Sequence, residues 1–121
     1  MDESKTLTDA EFELMAILWR LGEGNVKSVQ KQLPEDRQLA YTSISTILRI
    51  LVKKGFCEVR KIGRNHIYIP LISESEYQSS ALSKMVSQVF EGSASGLIRT
   101  LASQTKLTDK EKSELLAILD R

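Results

Sequence analysis

One cysteine, Cys57, and one histidine, His66, are all that the 121 residues contain of the two side chains that most often serve as metal ligand, nucleophile or base. A Gly-rich phosphate loop is also missing, and no carboxylate pair stands apart from a helix cap, so an enzyme is the weakest reading. No catalytic residue, metal or cofactor is expected. A single cysteine cannot form an internal disulfide, and Cys57, in a predicted strand, is expected to be a buried and inert thiol. His66 falls on a predicted hairpin strand and is expected to be a surface or wing residue, neither ligand nor base. Nowhere does an apolar run approach the roughly 18 residues that cross a membrane. The acidic N-terminus lacks the basic and apolar regions of a signal peptide. A cytoplasmic protein without membrane insertion is therefore expected.

What the chain does have is a localised charge. The net charge is only +1. Residues 25–70 hold nine Lys and Arg against three acids, a net of +6; residues 1–24 carry a net of −4 and residues 71–121 a net of −1. Positive charge confined to one stretch points to a polyanion more strongly than an overall excess does.

Within that stretch, Ala40 to Gly55 reads as one helix with two faces. Ile44, Ile47, Leu48, Leu51 and Val52 recur at spacings of three and four and form an apolar stripe. Thr42, Ser43, Thr46, Arg49 and Lys53 fall on the other side, first hydroxyl-bearing and then cationic. Small hydroxyls let a helix sit close to base edges, and cations neutralise phosphates. Gly55 ends the helix, and Phe56, Cys57, Val59 and Ile62 then alternate as a strand. After a break at Gly63-Arg64-Asn65, His66 to Ile69 forms a second strand closed by Pro70. A helix followed by a short hairpin with basic residues at its tip is the winged-helix pattern of DNA readers. Thr42, Ser43 and Thr46 are expected to read bases, with Arg49 reaching a base or a phosphate. Tyr41, Lys53, Lys54, Lys61 and Arg64 are expected at the DNA backbone. The alternative is a winged helix used as a protein interaction module, which has no need of +6 concentrated on one helix and hairpin.

Two shorter helices precede this pair. Thr8 and Glu11 form a capping box, Leu7 and Phe12 can staple it, and Leu14, Met15, Leu18 and Trp19 point inward until Leu21-Gly22. Asn25 caps a second helix with Val26, Val29 and Leu33 inside and Lys27 and Lys31 outside. Three helices and a hairpin complete a domain over 1–71, close to the smallest core, about 65 residues, that folds unaided. Over 72–121, Ser73 and Glu76 form another capping box, with Ile72 and Tyr77 placed as its staple. Apolar stripes follow at Leu82, Met85, Val86, Val89 and Phe90, at Leu97, Ile98 and Leu101, and at Leu115, Leu116, Ile118 and Leu119 beyond a Thr108–Glu111 cap. Three short helices cannot bury this much apolar surface alone, so these positions and Tyr77 are expected to form a dimerisation surface with a second copy. The expected fold is mainly α with a small β-hairpin: a winged helix-turn-helix domain and a C-terminal helical dimerisation segment.

These residues resemble the penicillinase-repressor family of bacterial winged-helix repressors (BlaI/MecI-like) over nearly the whole chain. Leu7-Thr8-Asp9-Ala10-Glu11 through Leu18-Trp19 is similar to the family's opening helix. Ala40-Tyr41-Thr42-Ser43-Ile44, with Thr46 and Leu48 through Lys54-Gly55, is similar to its recognition helix, and Gly63-Arg64 with Tyr68 and Pro70 to its wing. The resemblance implies a homodimeric transcriptional repressor that binds a pseudo-palindromic double-stranded DNA operator and controls antibiotic-resistance or related stress genes. Three features depart from the family. Ile50 stands where members often carry Arg. The cysteine-rich cluster that ends the copper-responsive branch is missing, which speaks against metal sensing. In the antibiotic-responsive branch a regulatory protease cuts an Asn-Phe bond in the fifth helix; Thr100 and Leu101 stand at that position without its residue types.

Overall fold

The structure, a computed structural model, describes residues 6–104 and 106–120. Its first helix, α1 (Asp9–Leu21), begins where two hydrogen bonds cross: the Glu11 N–H donates to Thr8 Oγ1 at 3.2 Å and the Thr8 N–H donates to Glu11 Oε1 at 2.9 Å. Gly22, at a φ of 90°, stops it. The same reciprocal pair, built from Asn25 and Ser28, opens α2 (Val26–Gln32). Side-chain amides shape the turn that follows. Gln38 Nε2 donates to the Pro34 carbonyl at 2.8 Å, and Gln30 Nε2 reaches from α2 to the Leu39 carbonyl at 3.1 Å, just ahead of α3 (Tyr41–Lys53).

The end of α3 places the hairpin. Gly55, at a φ of 88°, donates to the Val52 carbonyl at 3.0 Å, and Phe56 donates to the Leu51 carbonyl at 2.9 Å. That pair of bonds is a Schellman cap, which needs the left-handed residue a glycine supplies. β1 (Cys57–Ile62) and β2 (Asn65–Pro70) then pair antiparallel from Cys57 opposite Pro70 to Ile62 opposite Asn65. Asn65 belongs to the second strand, which leaves Gly63-Arg64 as a two-residue loop. Its positive φ of 61° at Gly63 fits a type II′ turn. On the other edge of β2, Gly24 and Tyr68 exchange hydrogen bonds at 2.8 and 3.0 Å. A Cβ at Gly24 would lie 2.6 Å from Ser28 Oγ, inside the cap that starts α2.

Leu14, Met15 and Leu18 of α1, Val29 of α2, Ile44, Leu48 and Leu51 of α3, and Phe56 and Cys57 at the hairpin's base make one buried core. The hairpin fills the core only at that base, with Cys57 and Tyr68. Farther out, Val59 is 44% and Ile62 56% exposed. Trp19, expected inside, is partly buried, and its indole N–H donates to the Ile72 carbonyl at 2.9 Å.

The first compact unit runs through Ser79 and includes the first turn of α4 (Glu74–Gln88), which starts at a Ser73–Glu76 capping box. Tyr77, expected on the dimerisation surface, packs within this unit instead. Its ring lies 5.9 Å from Phe12, 5.8 Å from Trp19 and 6.0 Å from Phe56, centroid to centroid. A residue that completes an aromatic cluster here buries more surface than a solvent-facing position on α4 would give it.

The second unit starts at Ser80 and contains the rest of α4, α5 (Ala94–Gln104) and α6 (Asp109–Leu119). Ser93 Oγ accepts from the Gly96 N–H at 2.9 Å to open α5, and Thr108 and Glu111 form the box that opens α6. None of the three helices has a buried residue. Leu82, Met85, Val89, Leu116, Ile118 and Leu119 are 47% to 69% exposed within the single chain, so its own helices leave the expected inward positions of α6 largely uncovered.

Candidate nucleic-acid interface

Because Ile44, Leu48 and Leu51 are pinned in the core, the opposite face of α3 is obliged to face outward. Thr42, Ser43, Thr46, Arg49 and Lys53 are all exposed there, and Tyr41, at the start of the helix, is half exposed. Thr46 Oγ1 donates to the Thr42 carbonyl at 2.9 Å, so its proton is engaged while its oxygen and methyl group remain available. A threonine in that state can accept from a base amino group or pack on a thymine methyl, but it cannot donate. Arg49 Nη2 stands 3.5 Å from the same hydroxyl. Ile50, at 37% exposure, presents an apolar surface next to it.

The wing brings further polar groups to this face. Arg64 is exposed at the turn, and Lys61 and His66 sit opposite each other across the strands. A cleft of ≈ 260 Å³ lies between the start of α2, the start of α3 and the wing, with Lys27, Tyr41, Arg64 and His66 among its walls. A second, of ≈ 330 Å³, lies between α3 and the wing and is lined by Arg49, Val52, Val59, Lys61, His66 and Tyr68. Tyr68 lines both; burial pushes its hydroxyl pKa up, partly offset by the Arg49 charge.

Three ion pairs among the described residues redistribute the charge. Arg37 meets Glu13 at 3.1 Å, Lys54 meets Glu11 at 2.7 Å, and Arg60 meets Glu58 at 3.6 Å. Two of the three draw on acids of α1, outside the basic stretch. Lys54 Nζ also donates to the Thr6 carbonyl at 3.3 Å, so the ammonium expected at the DNA backbone is committed to the N-terminus of α1. Glu11 is buried, which raises a carboxyl pKa, but the Lys54 ammonium and the Thr8 N–H outweigh this and hold it below its ordinary value. Lys27, Lys31, Arg49, Lys53, Lys61 and Arg64 are exposed and take no part in those pairs. Lys27 was legible as an outward position on α2, but only the fold puts it beside the wing.

Cys57 lies under this surface. Burial pushes its thiol up to about 12, and its Sγ lies 3.4 Å from Met15 Sδ. A thiol in that state is not a nucleophile near neutral pH.

In the second unit, Val86, Phe90, Leu97, Ile98, Leu101 and Leu115 are partly buried. Thr100 and Leu101 lie within α5, where Thr100 Oγ1 donates to the Gly96 carbonyl at 3.0 Å. A protease needs extended chain, so cleavage there requires local opening of the helix.

Residues 7–121 match the family model described as "Penicillinase repressor". The chain is 28% identical over 120 residues to the penicillinase repressor of Bacillus licheniformis, covering 99% of this chain and 94% of that protein. To the methicillin resistance regulatory protein MecI of Mammaliicoccus sciuri it is 24% identical over 115 residues, covering 95% and 94%. Among solved structures, the DNA-binding domain of the repressor BlaI matches with a TM-score of 0.54 and 35% identity, over 64% of this chain and 94% of that one. The monomeric form of Bacillus licheniformis BlaI in complex with the blaP half-operator gives a TM-score of 0.52 and 35% identity over the same shares. No helix among the described residues is long and apolar enough to cross a membrane. A family-wide match over all but the first six residues, with the winged-helix fold underneath it, means that the chain belongs to the penicillinase-repressor family.

Proposed function

We propose that the protein is a transcriptional repressor that binds a pseudo-palindromic DNA operator as a homodimer. The observation that carries this reading is the surface formed by α3 and the wing. An outward helix face of hydroxyls and cations lies beside a hairpin whose Lys61 and Arg64 form no ion pair among the described residues. Such a helix enters the major groove while the wing meets the flanking backbone. Thr42, Ser43, Thr46 and Arg49 read base edges; Tyr41, Lys53, Lys61, Arg64 and Lys27 hold phosphates. BlaI has been solved on a half-operator, which supports duplex DNA as the partner.

The homodimer is supported by the apolar side chains that the single chain leaves open on α4 and α6, Leu82, Met85, Val89, Leu116 and Leu119. Covering them with a second copy removes apolar area from water and joins two half-site readers. Genes of antibiotic resistance or a related stress response are the proposed targets, following the family. A protease that cut between Gly92 and Gln104 would detach α6 from the reader, weaken the dimer and so release the operator.

Selection of bound sequences from a random duplex pool tests the reading. A consensus with two-fold symmetry is the expected result. Recovery of no consensus would favour a protein-interaction module and overturn it.

A further inference from the structure

His66 has no role in the reading above, yet both clefts that flank the wing share it as a wall. It is exposed on β2 and stands opposite Lys61 in the hairpin register. In the first cleft it is accompanied by Lys27 of α2, Tyr41 of α3 and Arg64 of the wing turn. In the second it is accompanied by Arg49 of α3 and by Lys61. Neither lining contains an acid. The one acid of β1, Glu58, stands opposite Ile69 and meets Arg60 at 3.6 Å.

We propose that His66 is a proton-linked contact to the DNA backbone: when a duplex is in place, its imidazole takes up a proton and pairs with a phosphate beside Lys27 and Arg64. This rests on the DNA-binding reading and adds to it a dependence of affinity on pH. In the free protein every charged side chain lining the two clefts is positive, and a phosphate seated there brings negative charge that offsets theirs and favours a protonated ring. Histidine is the side chain that ordinarily changes charge between about pH 5 and 8. A site that holds its proton more tightly in the complex than in the free protein must, by linkage, bind DNA more tightly as the pH falls. One proton passes from solvent to a ring nitrogen as the complex forms, and no covalent bond changes. Since phosphates are the same in every sequence, the effect is as large on random DNA as on an operator.

The test is a fluorescence-anisotropy titration of the full chain with a labelled random-sequence duplex, at constant ionic strength, from about pH 5.5 to about pH 8.5. Affinity is expected to fall by about tenfold as pH rises. His66→Gln is expected to bind at the wild-type high-pH affinity throughout, and His66→Arg at the low-pH affinity throughout. Circular dichroism at each pH verifies that the variants remain folded. A flat wild-type profile, or a His66→Gln protein that keeps the wild-type slope, overturns the proposal and leaves DNA binding standing. No binding at any pH overturns the DNA-binding reading and this proposal together.

Discussion

Helices α1 and α6 open with the same capping box, Thr8 with Glu11 and Thr108 with Glu111, and the bond to the cap N–H is 2.9 Å in both. Beyond the cap they part. α1 buries Glu11, Leu14, Met15, Ile17 and Leu18, whereas α6 buries nothing. The same contrast separates the whole unit through Ser79, which closes a core, from the unit beginning at Ser80, which covers none of its helix residues completely. A cap decides where a helix starts; long-range packing decides whether the helix is held. The first unit therefore closes a core of its own, and the second leaves its apolar side chains largely uncovered within the single chain.

The largest expected effect tests that contrast directly. Leu48→Ala removes a fully buried side chain from the first unit and should cost about 2 to 5 kcal/mol in urea unfolding. Leu119→Ala should leave that transition within about 0.5 kcal/mol of wild type while weakening self-association in sedimentation. Equal losses in urea would break the contrast. Truncation comes next. A fragment ending at Ser79 keeps Tyr77 in its aromatic cluster and should fold as a monomer, with affinity for a two-site operator reduced about 10²-fold. A fragment ending at Ile72 loses that ring and should melt below the longer one. Fragments with identical melting would show that Tyr77 does nothing for the first unit.

Glu11→Gln should cost about 1 to 3 kcal/mol, because Lys54 loses its carboxylate and the Thr8 N–H loses a charged acceptor. A carboxyl held below its ordinary value of 4.5 contributes stability that is complete above that pH and is lost as pH falls through the folded value. The variant should accordingly show a flatter acid limb than wild type, measured by unfolding at a series of pH values. On the reading face, Thr46→Ala should weaken a selected operator by about 1 to 3 kcal/mol and random DNA far less. Equal weakening of both would remove Thr46 from the bases. The smallest effect is a slope. Arg64→Ala should reduce the dependence of log affinity on log salt by about 0.9. Lys54→Ala should leave that slope unchanged and lower stability instead, which separates a cation free to meet phosphate from one held by Glu11.

What could be read in advance was local. The boxes at Thr8, Ser73 and Thr108 and the cap at Asn25 each join residues three apart, and each forms. The two faces of α3 follow from a period of 3.6, and the hairpin from alternation closed at Gly63. What could not be read were the pairings between distant segments. Lys54 and Glu11 are 43 residues apart, and Trp19 and the Ile72 carbonyl 53. Lys27 shares a cleft with the wing, three residues beyond the Gly24–Tyr68 bridge.

The amino-acid order by itself determined where helices begin and end, which side of α3 is polar, and that positive charge gathers on α3 and the wing, because caps, periods and charge counts depend on neighbours in the chain. Tertiary structure alone decided which of those cations are available. Lys54 and Arg37 are neutralised by α1, Tyr77 belongs to the reader, and His66 stands between two positive clefts. Coulomb and packing energies act through space, and distance in space is set by the fold and not by separation along the chain.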